Sequence, residues 1–562
     1  MVTTALAGAL AGCHRRPSGP SAPEDETPTA AIDANAAETP EALRARLMPG
    51  PAAPALFVIA GLHGYTEPCG CTEDLLQGGI DRLIGTLKAL ANASPHAATI
   101  ASGDFLFRTA DAEPLEEAQD LARVQVIFQA MKSAGVDAIG VGPRDLARGV
   151  PLLVESAQLA GIPLVSTNLR AQDGPIGSPW RTVDLNGLTI AVLSAVSRDA
   201  LSELPTSDEL VFEDPAVALQ DALANDDLQR ADLRVLFFHG SIDDAAGLSR
   251  ALPTIDIFIP AETTEATTSL PRWSNTYVPQ ILSQGRELGV FRFSSPEGAS
   301  GPWENAAPFS TDDRTRLEEL VQNVDAQIAR IRERLDPADE EPALLLRLRE
   351  RRARYEEELQ RAQNTGTPAF HGEHRELLWD VIPLAPGLPE DHELHAARER
   401  YNHTLAELNL ANATPPPPAV DGAPSFVGAS TCQSCHSGAH TQWESTPHAR
   451  AWETLEARNK HFDLECVGCH VTGYQQPGGS ALGFTTSLEN VQCETCHGAG
   501  SLHAAAPTET NIQKEVTPGT CTGCHNSEHS PNFDFDAYLP RILGPNHGET
   551  RLGIITGLPL QR

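Results

Sequence analysis

Residues 432–436 read Cys432-Gln433-Ser434-Cys435-His436, and the pattern returns as Cys466-Val467-Gly468-Cys469-His470, Cys493-Glu494-Thr495-Cys496-His497 and Cys521-Thr522-Gly523-Cys524-His525. Each run sets two thiols and an imidazole on one short turn. Thiols at this spacing can form thioethers to the two vinyl groups of a haem, and the histidine that follows falls beneath the porphyrin as an iron ligand. Four runs using eight of the eleven cysteines predict a multihaem region with four haem c groups. Zinc sites also use paired Cys-x-x-Cys runs, but they do not require a histidine after every pair.

The second iron ligands follow by elimination. The chain has three methionines, Met1, Met48 and Met131, and none lies near the haem runs. Histidine–methionine ligation is therefore not on offer there, and bis-histidine ligation with low potentials is the expectation. Beyond the proximal His436, His470, His497 and His525, the segment offers His440, His448, His461, His503, His529 and His547. Six candidates for at most four positions leave some as spectators, or one iron with an open site.

The order GASTCQSCH (428–436), WESTPHARAWETL (443–455), CVGCHVTGY (466–474), VQCETCHGAGSLH (491–503), CTGCHNSEHSPNFDFDAY (521–538) and GPNH (544–547) resembles the tetrahaem cytochrome c-554 family over about residues 425–550. That resemblance implies His448, His503 and His547 as distal ligands, with His529 and His461 behind them, and an electron-transfer role.

A net charge of −34 argues against nucleic acid or anionic lipid headgroups as partners. Other cytochromes or membrane quinone-linked donors are the expected redox partners. Haem c attachment in bacteria occurs outside the cytoplasm, so export is expected, to the periplasm or cell envelope. Residues 2–12 form a short apolar run ending at Leu10-Ala11-Gly12-Cys13, which resembles a bacterial lipobox with Cys13 as the lipidated residue. A Pro/Ala/Glu/Thr-rich stretch, residues 14–54, reads as a disordered tether. No stretch approaches 18 apolar residues, so attachment to the membrane is expected through lipid alone.

From residue 55 to about 300 short apolar runs alternate with helix-like ones. ALFVIAGL, ATIASGD, DAIGVG, PLVSTNL, LTIAVLSAV, VLFFHG and IDIFIPA read as buried strands; GGIDRLIGTLKALAN, LEEAQDLARVQVIFQAMKSAG and SRDALSEL read as helices. The expected fold is an α/β layered domain, with a hairpin at Asn186-Gly187. Over 310–363, Leu317, Leu320, Val324, Ile328, Ile331 and Leu335, then Leu345, Leu348, Tyr355 and Leu359, predict an antiparallel helical hairpin acting as spacer or dimerisation element. Residues 364–424 read as an extension closing in a stiff Pro415–Pro418 hinge, and the haem region as mostly α and irregular.

IAGLHGYTEP with GGIDRL, ASGDFL, DAIGVGPRDLARG, LFFHGSIDD and IDIFIPAET before QGRELGVFRF resemble in order and spacing the metallophosphoesterase domain of periplasmic 5′-nucleotidases. The family's dimetal ligands survive only in part. His63, Asp104 and His239 remain, whereas Gly61, Pro143, Arg144 and the Pro260-Ala261-Glu262-Thr263 segment stand where ligands are needed. The side chains of Pro143 and Arg144 offer no lone pair for a metal, so the remnant could hold one divalent ion at most. Cys69-Gly70-Cys71 follows on the loop leaving the first strand. A Cys-x-Cys pair closes a strained ring and so reads as a redox pair or soft-metal site, the alternative being a structural disulfide. The domain resembles a divergent group of 5′-nucleotidase relatives in which this motif can carry selenocysteine, which implies thiol redox chemistry.

Two functions of different class follow. One is an exported tetrahaem electron-transfer protein whose front domain serves thiol redox or partner docking. The other is a periplasmic 5′-nucleotidase-type phosphoesterase with a cytochrome tail.

Overall fold

The computed structural model describes residues 38–543 apart from 70–76, 111–113, 203, 205–209, 262, 264–269, 274, 307–310, most of 335–373, 485, 527–529 and 531–532. The strand Ala55–Ile59 is buried throughout because it is apolar at every position and packs on both faces. Leu56 and Val58 point between two sheets, where they meet Val192, Val235, Phe237, Ile257, Phe291 and Trp379. Ala55, Phe57 and Ile59 point the other way, onto Leu83, Ile84 and Leu87 of the helix Ile80–Asn92 and onto Ile127 and Met131 of the helix Pro114–Ala134. The period-2 alternation of a strand thus feeds two cores from one segment.

The first sheet has seven strands. Ala55–Ile59, Ala97–Ala101, Ala138–Gly140 and Leu164–Val165 run parallel side by side. Glu287–Ser294 joins antiparallel to the first of them. The second sheet has six strands, with Leu188–Val196, Leu233–His239 and Ile257–Pro260 parallel at its centre. Leu236 and Phe238 face outward onto Leu219, Ala222 and Leu248 of covering helices. The α/β layered expectation therefore resolves into helix, sheet, sheet, helix. Asn186 (φ 58°) and Gly187 (φ 83°) close the expected hairpin with two left-handed residues in the loop, the combination a tight two-residue turn needs.

Three expectations are corrected. The tether read over 14–54 ends earlier, because Pro40–Leu47 is a helix that buries Leu43, and Met48 behind it is buried too. Residues 364–424 are more than a linker. Glu376–Pro383 returns to the first sheet antiparallel to Glu287–Ser294, and His392–Asn412, capped by the Asp391 carboxylate, packs Tyr401 and Leu405 against Val126. The described residues of the stretch read as a helix at 197–204 include a short 3₁₀ turn at Asp199–Leu201, with the Ser197 hydroxyl accepting from the Ala200 N–H. That local bond offers the backbone an alternative to a helix.

The hairpin begins with the helix Thr311–Arg334. Val324 and Ile328 pack on Leu345 and Leu348, and Leu317 packs near Tyr355 and Leu359, so the apolar stripes meet in antiparallel order. From residue 428 the described helices are short, none longer than the nine residues of Phe535–Leu543. No helix of the described residues is long and apolar enough to cross a membrane.

Gly85 lies inside the helix Ile80–Asn92, where a Cβ would sit 2.5 Å from the Glu390 carbonyl carbon. Alanine gains up to about 1 kcal/mol of helix propensity, but the neighbour is backbone and cannot rotate away. Gly85→Ala is expected to destabilise by about 1–3 kcal/mol, read as a lowered urea midpoint; an unchanged or raised midpoint would refute the close approach.

Candidate haem centres and the α/β junction

Each Cys-x-x-Cys-His run forms one helical turn. The His436 N–H bonds the Cys432 carbonyl at 2.9 Å and the His525 N–H bonds the Cys521 carbonyl at 2.8 Å, while the second and third runs lie on the helices Leu464–His470 and Cys493–His497. Positions i, i+3 and i+4 of a helix share a face, so both thiols and the imidazole project together. All eight of these cysteines, together with His436, His470, His497, His525, His448 and His503, line one cavity of about 1670 Å³. The first and third runs adjoin through the Cys432 and Cys493 thiols, the second and fourth through Cys469 and Cys524.

The histidines are oriented from behind. Nδ1 of His470 donates to the Ala451 carbonyl at 2.5 Å, that of His497 to the Gln513 carbonyl at 2.8 Å, and that of His503 to the Thr508 carbonyl at 3.0 Å. A carbonyl only accepts, so Nδ1 carries the proton and Nε2 keeps its lone pair. His525 Nδ1 is 3.0 Å from the Ser530 hydroxyl. Burial and the neighbouring His525 and His470 push His448 down to about 4, which keeps it in the neutral, ligating form.

Haem fits this donor set. The rings of His436 and His503 face each other at 6.3 Å between centres, 23° from parallel, and those of His448 and His525 at 6.1 Å. Two imidazoles bound to one metal at about 2 Å each have centres roughly 6 Å apart. The expected distal ligands His448 and His503 are thus brought to proximal partners. His440 packs against Trp443 and His461 against Phe462, and neither lines the cavity. His529, His547, Cys13 and Cys71 lie outside the described residues. The Cys69 backbone pairs with Gln77, and Pro68 just before it lines the cavity.

Several residues that the sequence pattern did not single out hold the cavity together. Glu494, 3% exposed, accepts from the Val427, Gly428 and Gly500 N–H groups, tying the third run to the segment before the first. At the junction with the α/β domain, Arg123 (2% exposed) holds Glu465 at 2.7 Å and Arg108 holds the same carboxylate at 2.8 Å. Lys460 bridges Glu67 and Asp463, each at 3.2 Å. Asp463 caps the helix Leu464–His470 and also accepts from Gln119 at 2.7 Å. These are charged residues in a chain rich in them, with no spacing that marks them beforehand.

The remnant metal positions meet beyond the carboxyl ends of the central strands Ala55–Ile59 and Ala97–Ala101 of the first sheet and Leu233–His239 of the second. The His63 N–H bonds the Asp104 carbonyl at 2.8 Å, and both residues have positive φ, 49° and 57°. His239 spends both ring nitrogens, Nδ1 on the Asp104 carboxylate at 2.9 Å and Nε2 on the Ser102 carbonyl at 2.8 Å. The other Asp104 oxygen accepts the Arg144 N–H at 2.7 Å. Asp145 accepts from the Asp104, Phe105, Leu106 and Gly142 N–H groups. With both nitrogens donating, His239 is an imidazolium paired with a carboxylate and presents no lone pair in this arrangement.

Burial would raise the Asp104 carboxyl, but the His239 charge and hydrogen bond outweigh it and hold it at about 2. Burial would lower His239, and Asp104 raises it instead. Asp104 therefore stabilises above about pH 4, its ordinary value, and that share fades as pH falls toward 2. The His239 share is full below about pH 6.5 and fades as pH rises through its raised value. His239→Gln is expected to remove the alkaline fade from a plot of urea midpoint against pH; a variant curve parallel to that of the parent would refute the ion pair. Arg123→Ala leaves Glu465 to Arg108 alone and the buried Tyr401 hydroxyl without its guanidinium partner, and is expected to cost about 1.5–3 kcal/mol, measured by denaturant unfolding; a loss under about 1 kcal/mol would show the junction to be solvated.

The family described as Cytochrome c554 and c-prime matches residues 431–498. The cytochrome c-554 of Nitrosomonas europaea is 36% identical over 91 residues, 13% of this chain and 39% of that protein, so the match spans well under half of that relative's length. Solved structures that overlay on this chain include the sulfate thiohydrolase SoxB of Thermus thermophilus, at 13% identity and TM-score 0.44 over 79% of this chain and 73% of that one. A 5′-nucleotidase precursor from Thermus thermophilus overlays at 13% identity and TM-score 0.42, covering 72% and 67%. Residues 431–498 are therefore similar to the cytochrome c554 and c-prime family, and they follow an α/β domain of two packed sheets covered by helices.

Proposed function

We propose that this protein is an exported electron carrier holding four haem c groups, one at each Cys-x-x-Cys-His run, with its α/β domain repurposed for thiol redox chemistry or for seating a redox partner. The observation that carries this reading is the gathering of the eight cysteines of the four runs, their four histidines, His448 and His503 around one cavity, with two imidazole pairs spaced for a shared metal. Bound haem c supplies a one-electron ferric/ferrous couple. The chain's part is to fix each imidazole through its Nδ1 hydrogen bond and to crowd the four attachment sites into a space where carriers lie in near contact. Glu494 and the Lys460 bridge hold those turns in place.

Cys69 and Cys71 form the candidate redox pair of the α/β domain. Their oxidation to a disulfide releases two electrons, taken up by the cytochrome region, and two protons, taken up by solvent. The nearness of Pro68 to the cavity supports that exchange. The closed Asp104–His239 pair speaks for lost phosphoesterase chemistry. The lipobox-like Cys13 supports anchoring by lipid to a membrane in the periplasm or envelope, where other cytochromes or quinone-linked donors serve as partners.

The pyridine haemochrome assay on mature protein is expected to give four haems per chain; a lower ratio overturns the reading. His503→Ala and His448→Ala are each expected to turn one low-spin iron high-spin, seen by electron paramagnetic resonance. In a joint titration of haem absorbance and thiol status, Cys69 and Cys71 are expected to change state together with the haems, and inert thiols would leave the front domain a docking module.

A further inference from the structure

The charges at the α/β junction do more than fasten two regions. Arg108 and Arg123 come from the α/β domain, Lys460 and Glu465 from the cytochrome region, and all four line the cavity beside Cys466 and His470. The Cys466 thiol is half-buried and lies in the field of Asp463, Lys460, Arg108 and Glu465. The Cys432 and Cys493 thiols of the first and third runs face the Glu494 carboxylate instead. Arg108 is held firmly: its guanidinium lies 3.9 Å over the Tyr65 ring and bridges to Glu465 at 2.8 Å. Partly shielded from bulk water, a neighbouring charge acts more strongly on a redox centre than it would in water.

We propose that the α/β domain sets the reduction potential of the haem attached at Cys466 and Cys469, with Arg108 as the positioning residue that reaches it across the junction through Glu465. A cation beside a haem favours the reduced form, which carries one positive charge fewer, and a carboxylate disfavours it. Removing Arg108 takes away the cation and uncovers the Glu465 charge, so both changes push the potential down. Removing the Glu465 charge leaves Arg108 without its carboxylate and Arg123 with Asp120 alone, and pushes it up. Opposite signs from the two ends of one ion pair are a signature that general loosening of the fold does not produce.

The test is a potentiometric titration of holoprotein, followed by visible and electron paramagnetic resonance spectra, on the parent, Arg108→Gln and Glu465→Gln. One midpoint potential is expected to fall in Arg108→Gln and the same one to rise in Glu465→Gln, while the other three stay in place. Unchanged potentials in both variants, or all potentials moving together in the same direction, would overturn the inference. It rests on the four-haem reading, and the two fail separately. A parent haem-to-chain ratio below four sinks that reading, whereas four haems with no opposed shift sink this inference alone.

Discussion

The Arg123 guanidinium is buried where the helix Leu464–His470 meets the helix Pro114–Ala134, and it satisfies its charge on Glu465, Asp120 and the Tyr401 hydroxyl at once. An isolated cation at that depth would be prohibitive. Its partners therefore have to arrive together: Glu465 beside the second haem run, Tyr401 on the late helix His392–Asn412, and Asp120 on its own helix. The seating of the cytochrome region on the α/β domain follows from meeting that requirement. Residues Pro40 to Arg562 accordingly form one compact unit, although the strand pattern and the haem runs read as separate modules in the sequence.

Within that unit, Asp104 and His239 meet at the carboxyl ends of central strands of the two sheets and neutralise one another. Gly142 permits their approach, since a Cβ there would meet the Asp104 carboxylate at 2.2 Å and the His239 ring at 2.6 Å. The Arg144 N–H and the four backbone donors on Asp145 complete a network that needs no ion. The loop leaving the first strand meanwhile places Tyr65, Thr66, Glu67 and Pro68 against the haem cavity.

Much was legible beforehand. The Cys-x-x-Cys-His runs declare themselves through a spacing that one helical turn enforces, and the rings of His448 and His503 lie 6.1 and 6.3 Å from those of His525 and His436. Buried strands announced themselves as apolar runs, and Asn186-Gly187 as a tight turn. Glu376–Pro383 did not, since it follows the hairpin and a strand that completes a distant sheet carries no label of its partner. The helix Pro40–Leu47 was hidden by a proline- and alanine-rich context, and only the buried positions of Leu43 and Met48 reveal it as core.

The sequence by itself determined the Cys-x-x-Cys-His turns and the α/β layering, because both rest on local spacing: i, i+3 and i+4 on a helix, and every second residue on a strand. Only the tertiary structure decided that the two regions share one charged junction, that His239 is spent on Asp104, and that Arg108 and Arg123 reach the second haem run. Those outcomes depend on contacts between residues hundreds of positions apart, and a charged side chain has the same letter whether solvent or a buried partner receives it.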